Sequence, residues 1–322
     1  MLLKLIERNY WLSSLSDWLI PRQVHSSQRG GTALADFETI ETHGNTGVVR
    51  VLHISDSHVS VPGDDDGIYG SFCRRMHKAY TDFDRLGAFV SLMDLAVESD
   101  VDLIALTGDQ VNYPGSKAVN RLVEELKRTG KPWVFTAGNH DWHYEGMEGS
   151  SRDLRSRWRQ ELGPFYLGHD PHASSVEVNG VRFLMIDNAT YQVDDQQLAF
   201  YQDKVADGTP TVLLVHIPLS VPTIRADREG KPLCGDPAWG AKRDRNWETE
   251  RRERWPATGN LPSTEEFLSC VASSPNLVAV LCGHIHESRV DRVSDVANQY
   301  VTAPGFARGH RLFRFEGEVT SA

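Results

Sequence analysis

VVRVLHIS at residues 48–55 is an apolar run that breaks off at Asp56-Ser57-His58, which predicts a buried strand ending in a polar turn. Residues 82–98 then place apolar positions at helical spacing, and LIALTGD at 103–109 predicts a second buried strand that ends in Gly-Asp. A helix over about 116–129 precedes a third strand, WVFTAGN at 133–139. This β-α-β-α-β alternation predicts an α/β fold with a mostly parallel sheet covered by helices.

The pattern changes further on. SSVEVNG at 174–180 and VRFLMID at 181–187 meet at Asn179-Gly180, a strong signal for a two-residue hairpin. A helix over about 194–206 leads to a strand in TVLLVHIP at 211–218. NLVAVLCGHIH at 276–286 predicts the last buried strand before a polar end, and QYVTAPG and HRLFRFEG read as closing antiparallel strands. There is no internal repeat.

Residues 1–47 form an N-terminal region of their own in this reading: an amphipathic helix, then a linker or loosely ordered arm over 21–47 that is rich in Ser and Gly. Lys4, Glu7, Arg8 and Asp17 interrupt the helix, so it holds neither a transmembrane run nor the apolar core and cleavage site of a secretory signal. Peripheral contact with a membrane surface stays open for it. Residues 48–322 then make one domain, with an insertion over 219–262 that lacks clear periodicity. Three tryptophans, Trp239, Trp247 and Trp255, argue for ordered packing in that insertion. It carries nine Lys/Arg against seven Asp/Glu, in contrast to the chain as a whole.

Composition narrows the partners. A formal net charge of −10 argues against binding to nucleic-acid polymers or anionic membranes, while leaving room for a local phosphate pocket. Cys73, Cys234, Cys270 and Cys282 are widely spaced with no CxxC pair, which fits free thiols in a reducing compartment and a cytoplasmic location.

Five polar clusters fall at the carboxyl ends of apolar runs: Asp56-Ser57-His58, Gly108-Asp109, Gly138-Asn139-His140-Asp141, His216 and Gly283-His284-Ile285-His286. In an open α/β sheet such positions converge on one crevice. Imidazole and carboxylate donors suit Zn, Fe or Mn better than Mg or Ca. A DxH or HxH spacing sends alternate side chains to the same side of an extended segment. Asp109, the lone carboxylate of its cluster, is the natural bridge, with one oxygen for each of two ions. Two ions roughly 3.5–4 Å apart can clamp a phosphoryl group and acidify a shared water.

In this order, DSH, GD, GNHD, His216 and GHIH resemble the signature of calcineurin-like metallophosphoesterases, over about residues 48–315. The resemblance implies a four-layer α/β/β/α sandwich. It also implies one metal held by Asp56, His58, Asp109 and His286, and another held by Asp109, Asn139, His216 and His284. Asn139 and His140 would contact the substrate phosphate, and His140 would protonate the leaving oxygen; an imidazole titrates near neutrality and suits that task. The protein Ser/Thr phosphatase branch carries GDxxDRG and GNHE, whereas this chain has Gly108-Asp109-Gln110-Val111-Asn112-Tyr113 and GNHD. Asn112 stands where that branch has the carboxylate partner of its histidine, which leaves Asp141 as the candidate support for His140. The terminal GHxH is similar instead to the branch with class III cyclic-nucleotide phosphodiesterases.

Singly, each of these residues has a plainer reading: a strand-end Asp or Asn commonly caps a helix, and a lone buried His is usually satisfied by its neighbours. Their joint occurrence decides for metal. His53 lies inside a strand and is expected to pack there. Asp64-Asp65-Asp66 reads as an acidic loop, Arg251–Arg254 as a solvated face or part of a lid, and His143 and Tyr144 as the tail of the motif. The expected activity is hydrolysis of a small-molecule phosphate ester by metal-activated hydroxide, with diesters slightly ahead of monoesters. The alternatives are a non-catalytic scaffold on the same fold, and a lipid phosphoesterase.

Overall fold

The computed structural model describes residues 36–43, 47–61, 83–142, 151–224 and 260–317. Its strands are β1 (Glu38–Thr42), β2 (Val48–Ile54), β3 (Leu103–Thr107), β4 (Trp133–Thr136), β5 (Ala173–Val178), β6 (Val181–Ile186), β7 (Thr211–Leu214), β8 (Leu277–Cys282), β9 (Arg289–Arg292), β10 (Asn298–Val301) and β11 (Arg311–Gly317). The helices are α1 (Arg85–Glu98), α2 (Ser116–Arg128), α3 (Asn139–Trp142), α4 (Ser151–Tyr166), α5 (Asp195–Val205) and α6 (Pro262–Ser273).

Two sheets form. The first runs β1-β11-β2-β3-β4, with β2, β3 and β4 parallel. The second runs β5-β6-β7-β8-β10-β9, with β6, β7, β8 and β10 parallel and both edge strands reversed. Strand alternation sorts the side chains into layers. Val49, Val51, Leu103 and Ala105 of the first sheet meet Phe183, Met185, Leu214 and Leu281 of the second in a shared inner core. The opposite face of the first sheet, with Leu52, Ile54, Ile104 and Leu106, packs under Phe89 and Met93 of α1 and Leu122 and Leu126 of α2. Leu184, Leu213 and Val280 do the same for the second sheet beneath Tyr201 of α5 and Phe267 of α6. The result is the α/β/β/α sandwich.

Local signals explain where the elements begin and turn. Asp84 caps α1 by accepting from the Gly87 N–H at 2.9 Å. Asp194 and Gln197 form a capping box at the start of α5. The Asn179-Gly180 turn joins β5 to β6 with both residues at positive φ, 49° and 86°.

Several details depart from the sequence reading. Part of the expected linker, Glu38–Thr42, is an edge strand paired in parallel with β11. β10 and β11 do not pair with each other: β10 lies beside β8 and β9, and β11 beside β2 and β1. Buried on opposite sides of the inner core, they read alike in sequence. β3 and β4 also end two or three residues earlier than the apolar runs suggested, which frees Gly108-Asp109 and Gly138-Asn139 to enter loops. Helix α4 and strand β9 were not anticipated. The N-terminal helix, Asp64–Asp66, His143, Tyr144, Cys73, Cys234, and residues 225–259 with their tryptophans lie outside the described residues. Among the described residues no helix is long and apolar enough to cross a membrane, and Cys270 and Cys282 are free thiols.

Candidate metal centre

The loops that leave β2, β3, β4, β7 and β8 are tied to one another before any side chain is considered. The Asp56 and His58 N–H groups donate to the Gly108 and Asp109 carbonyls at 3.0 and 2.8 Å, which ladders the first loop to the second. Gly283 N–H donates to the His216 carbonyl at 3.0 Å, joining the last two loops. His284 N–H reaches across to Asp56 Oδ2 at 2.9 Å and links the sheets. Such turns force the backbone into unusual conformations. Of the ten non-glycine residues with positive φ among the described residues, five are the expected ligands Asp56, His58, Asp109, His284 and His286.

The glycines of these motifs are there because the loops nearly touch. A Cβ on Gly283 would lie 1.8 Å from Ser55 Oγ and 2.1 Å from Asp56 Oδ2. A Cβ on Gly108, at φ 85°, would lie 2.5 Å from both Gly138 N and His216 Nδ1.

Two groups of donors result, each with ligand atoms within 4.8 Å of one another: Asp56, His58 and His286, and Asp109, His216 and His284. Asp109 Oδ2 lies between them, 3.6 Å from His58 Nε2 and 3.2 Å from His216 Nε2. The sequence had suggested one Asp109 oxygen per ion, but Oδ1 is engaged by the His140 N–H at 2.9 Å, so Oδ2 alone faces both groups. His286 Nε2 is 3.3 Å from Asp56 Oδ1 and 3.1 Å from His58 Nε2. Buried Asp56 Oδ1, Asn139 Oδ1 and His216 Nε2 have no hydrogen-bond partner. Burying such atoms unpaired costs about 1–3 kcal/mol each, and the two oxygens are acceptors suited to a cation. The donor set fits metal.

The second nitrogen of two histidines is already assigned. His216 Nδ1 lies 2.8 Å from the Thr107 carbonyl and His58 Nδ1 lies 3.3 Å from Asn112 Oδ1. Both acceptors place the proton on Nδ1, which leaves Nε2 to ligate. Burial pushes His58 down to about 4 against the pull of Asp56. Burial, with the charge of His216 next, pushes His284 down to about 3. Both imidazoles are therefore neutral near pH 7. For His216 burial also lowers the pKa, but the charge of Asp109, 3.2 Å from Nε2, outweighs it and raises it to about 10. In Asp56 burial opposes ionisation, yet His286 and His58 hold the carboxyl well below the usual range.

His140 stands half-buried beside the first group, its ring edge-on to His58 at 4.7 Å between centroids, and it forms a third cluster with His58 and Asp109. Its Nδ1 is 3.3 Å from the carbonyl of Asn112. Asp141 does something else. Its Oδ2 accepts from the Asp109 and Gly138 N–H groups at 2.7 and 2.8 Å, and its Oδ1 from Val111 N–H at 3.0 Å. Asp141 thus clamps the loop after β3 to the loop after β4, and its carboxylate supports the backbone around His140 rather than the ring.

A family pattern described as calcineurin-like phosphoesterase matches residues 49–288, the span that holds every one of these side chains. The chain belongs to this family. A DNA double-strand break repair protein Mre11 from Sulfurisphaera tokodaii is 33% identical over 97 residues, 29% of this chain and 22% of that protein. A probable cyclic nucleotide phosphodiesterase from Fibrobacter succinogenes is 26% identical over 173 residues, 53% of this chain and 58% of that one. The chain therefore spans less than two thirds of the length of either relative. Among solved structures, a dimetal phosphatase from Danio rerio aligns with a TM-score of 0.50 at 12% identity, covering 80% of this chain and 88% of that one. A purple acid phosphatase from yellow lupin aligns at 0.51 and 12% identity, covering 84% and 46%. At such identities the likeness is one of fold.

Sequence reasoning missed three contributors. Asn188 accepts from the His216 and Ile217 N–H groups at 3.1 and 3.0 Å and so fixes the loop after β7. The signal was available: Asp187-Asn188 ends β6 as a sixth polar strand end. Tyr191 touches His284, with its hydroxyl 2.9 Å from Nε2. Phe306 places its ring 5.2 Å from that of His286, on a turn after β10 with no sequence mark of its own.

Proposed function

We propose that the chain is a dinuclear metal-dependent phosphoesterase acting on small phosphate esters, with diesters, cyclic nucleotides included, ahead of monoesters. The observation that carries this reading is the position of Asp109 Oδ2 between two His/Asp groups, 3.6 Å from His58 Nε2 and 3.2 Å from His216 Nε2. Asp56, His58, Asp109 and His286 would hold one ion, and Asp109, Asn139, His216 and His284 the other. Manganese, iron or zinc suits these donors. Two such ions, when bound, polarise phosphoryl oxygens and make water acidic enough to furnish hydroxide near neutral pH.

The chain's own residues do the rest. Asn139 and His140 meet the phosphate from α3, whose backbone is held by Asp109 Oδ1. His140 would give a proton to the ester oxygen as that oxygen leaves phosphorus, displaced in line by the hydroxide that bound ions would furnish. The Asn112 carbonyl, 3.3 Å from Nδ1, holds the ring. Asp141 keeps the two loops in register. The catalytic unit is residues 48–322 together with the edge strand β1, in a reducing, cytoplasmic setting, and the whole chain's net charge of −10 speaks for small substrates over nucleic-acid polymers. The likeness to the probable cyclic nucleotide phosphodiesterase from Fibrobacter succinogenes supports the tilt towards diesters.

Metal-stripped protein resupplied with Mn, Fe, Zn or Ni should hydrolyse bis-p-nitrophenyl phosphate faster than p-nitrophenyl phosphate. His140→Ala should lower kcat by roughly 10²–10⁴ while metal content stays at the wild-type level. Hydrolysis absent with every metal would replace this reading with a scaffold on the same fold.

A further inference from the structure

The loop after β6 has a second connection to the metal centre. Tyr191 is nearly fully buried, sits at φ 68°, and directs its hydroxyl to His284 Nε2 at 2.9 Å with the two rings edge-on at 5.4 Å. Positive φ is a strained conformation for an aromatic residue, and it persists only where the surroundings dictate it. Here they do. Tyr191 N–H donates to the Asn188 carbonyl at 2.7 Å. Gln192 then grips Asn260 Oδ1 through Nε2 and the Leu261 N–H through Oε1, at 2.7 and 2.6 Å, and Val193 N–H bonds Thr264 Oγ1 at 2.9 Å. Asn188, three residues earlier, already fixes the backbone of His216. One loop thus touches both histidines of the second donor group.

We propose that Tyr191 is the positioning residue of the second metal site: it holds the His284 ring through Nε2 and turns Nδ1 towards the ion. A neutral imidazole carries one proton. With that proton on Nε2 and donated to the tyrosine oxygen, the lone pair stays on Nδ1. His216 is held by the mirror arrangement, its Nδ1 on the Thr107 carbonyl and Nε2 towards Asp109. The two histidines of one site therefore present opposite nitrogens, each fixed by its own partner. The inference rests on the two-metal reading above and assigns a residue to one of its sites.

Calorimetric titration of metal-stripped protein with Mn²⁺ separates the possibilities. Wild type should bind two ions, and Tyr191→Phe should keep one at wild-type affinity and bind the other at least about tenfold more weakly. The thermal midpoint of the metal-free variant should match that of wild type. Equal binding of both ions, or weakening of both together with a lowered metal-free midpoint, would overturn the positioning role. A wild type that binds no second ion would instead defeat the two-metal reading itself. Long-range ¹H–¹⁵N correlation on zinc-loaded wild type needs no variant: it should find the His284 proton on Nε2 and the metal shift on Nδ1. The reverse assignment would overturn the proposal.

Discussion

At the scale of single residues, the centre is governed by where each imidazole keeps its proton, and His53 shows the same physics without any metal. It lies in β2 with its two nitrogens 2.7 Å from Thr107 Oγ1 and 2.7 Å from Thr302 Oγ1, fully buried. Burial, then the Arg311 charge, pushes its pKa down to about 3, against the opposing pull of Asp56. The unfolded chain takes up that proton below its ordinary value of about 6.5, and the folded chain refuses it until about pH 3. The unfolded state therefore binds more protons throughout this window, so stability is lost as pH falls from about 6.5. His53→Asn removes the term. In urea unfolding of metal-free protein, wild type should lose about 1 kcal/mol more than the variant between about pH 7 and 5.5. Equal losses would show that the histidine titrates normally.

At the scale of elements, the strand-end turn is the unit of the site, because it leads from a buried strand to a candidate ligand within two or three residues. Gly283 shows how little room that conversion leaves, and Gly283→Ala should drive Asp56 out of place through the 2.1 Å approach to its Oδ2. We expect a loss of about 1–3 kcal/mol from overpacking. Metal content should fall first at the group containing Asp56, and wild-type occupancy in the variant would contradict this account. The same turns explain which parts of the centre were legible in the sequence. Asp56, His58, Asp109, His140, His216, His284 and His286 each follow an apolar run, and the structure gathers all seven into its three donor groups. Asn139 is not a member of these His/Asp groups. Its amide is simply buried with Oδ1 unpaired. The role of Asp141 was not legible, because a carboxylate beside a histidine in sequence looks like its partner. α3 directs it instead to three backbone N–H groups. Asn112, read as a lost partner, serves twice, through its side chain on His58 and its carbonyl on His140. Backbone acceptors leave no trace in a sequence. Tyr191 escaped for a related reason, since its function comes from a turn conformation that tyrosine does not favour.

At the scale of the whole molecule, the centre lies across the seam between the two sheets. Asp56, His58 and Asp109 leave the first sheet, and His216, His284 and His286 leave the second. The inner core joins the sheets through apolar side chains such as Phe183 and Phe313. The seam's polar end is another matter: it gathers the buried carboxyl groups of Asp56, Asp109 and Asp141 and unpaired acceptors that nothing apolar can satisfy. An ion that binds only the folded chain stabilises it by mass action, about 2.7 kcal/mol per site at a free concentration 100 times Kd. For a domain of this size each kcal/mol moves the midpoint by about 2–4 °C, so one filled site should raise Tm by roughly 5–10 °C. Tm should therefore climb with the logarithm of free Mn²⁺ or Zn²⁺ above Kd, and return to the stripped value with chelator. Asp109→Asn, which weakens the oxygen shared by both groups, should flatten that climb. His140→Ala should leave it intact, because in the proposed mechanism its imidazole serves the substrate and not an ion. A Tm indifferent to metal in the wild type would mean that the two groups of donors hold no ion, and a climb that survives Asp109→Asn would mean that Asp109 does not bridge them.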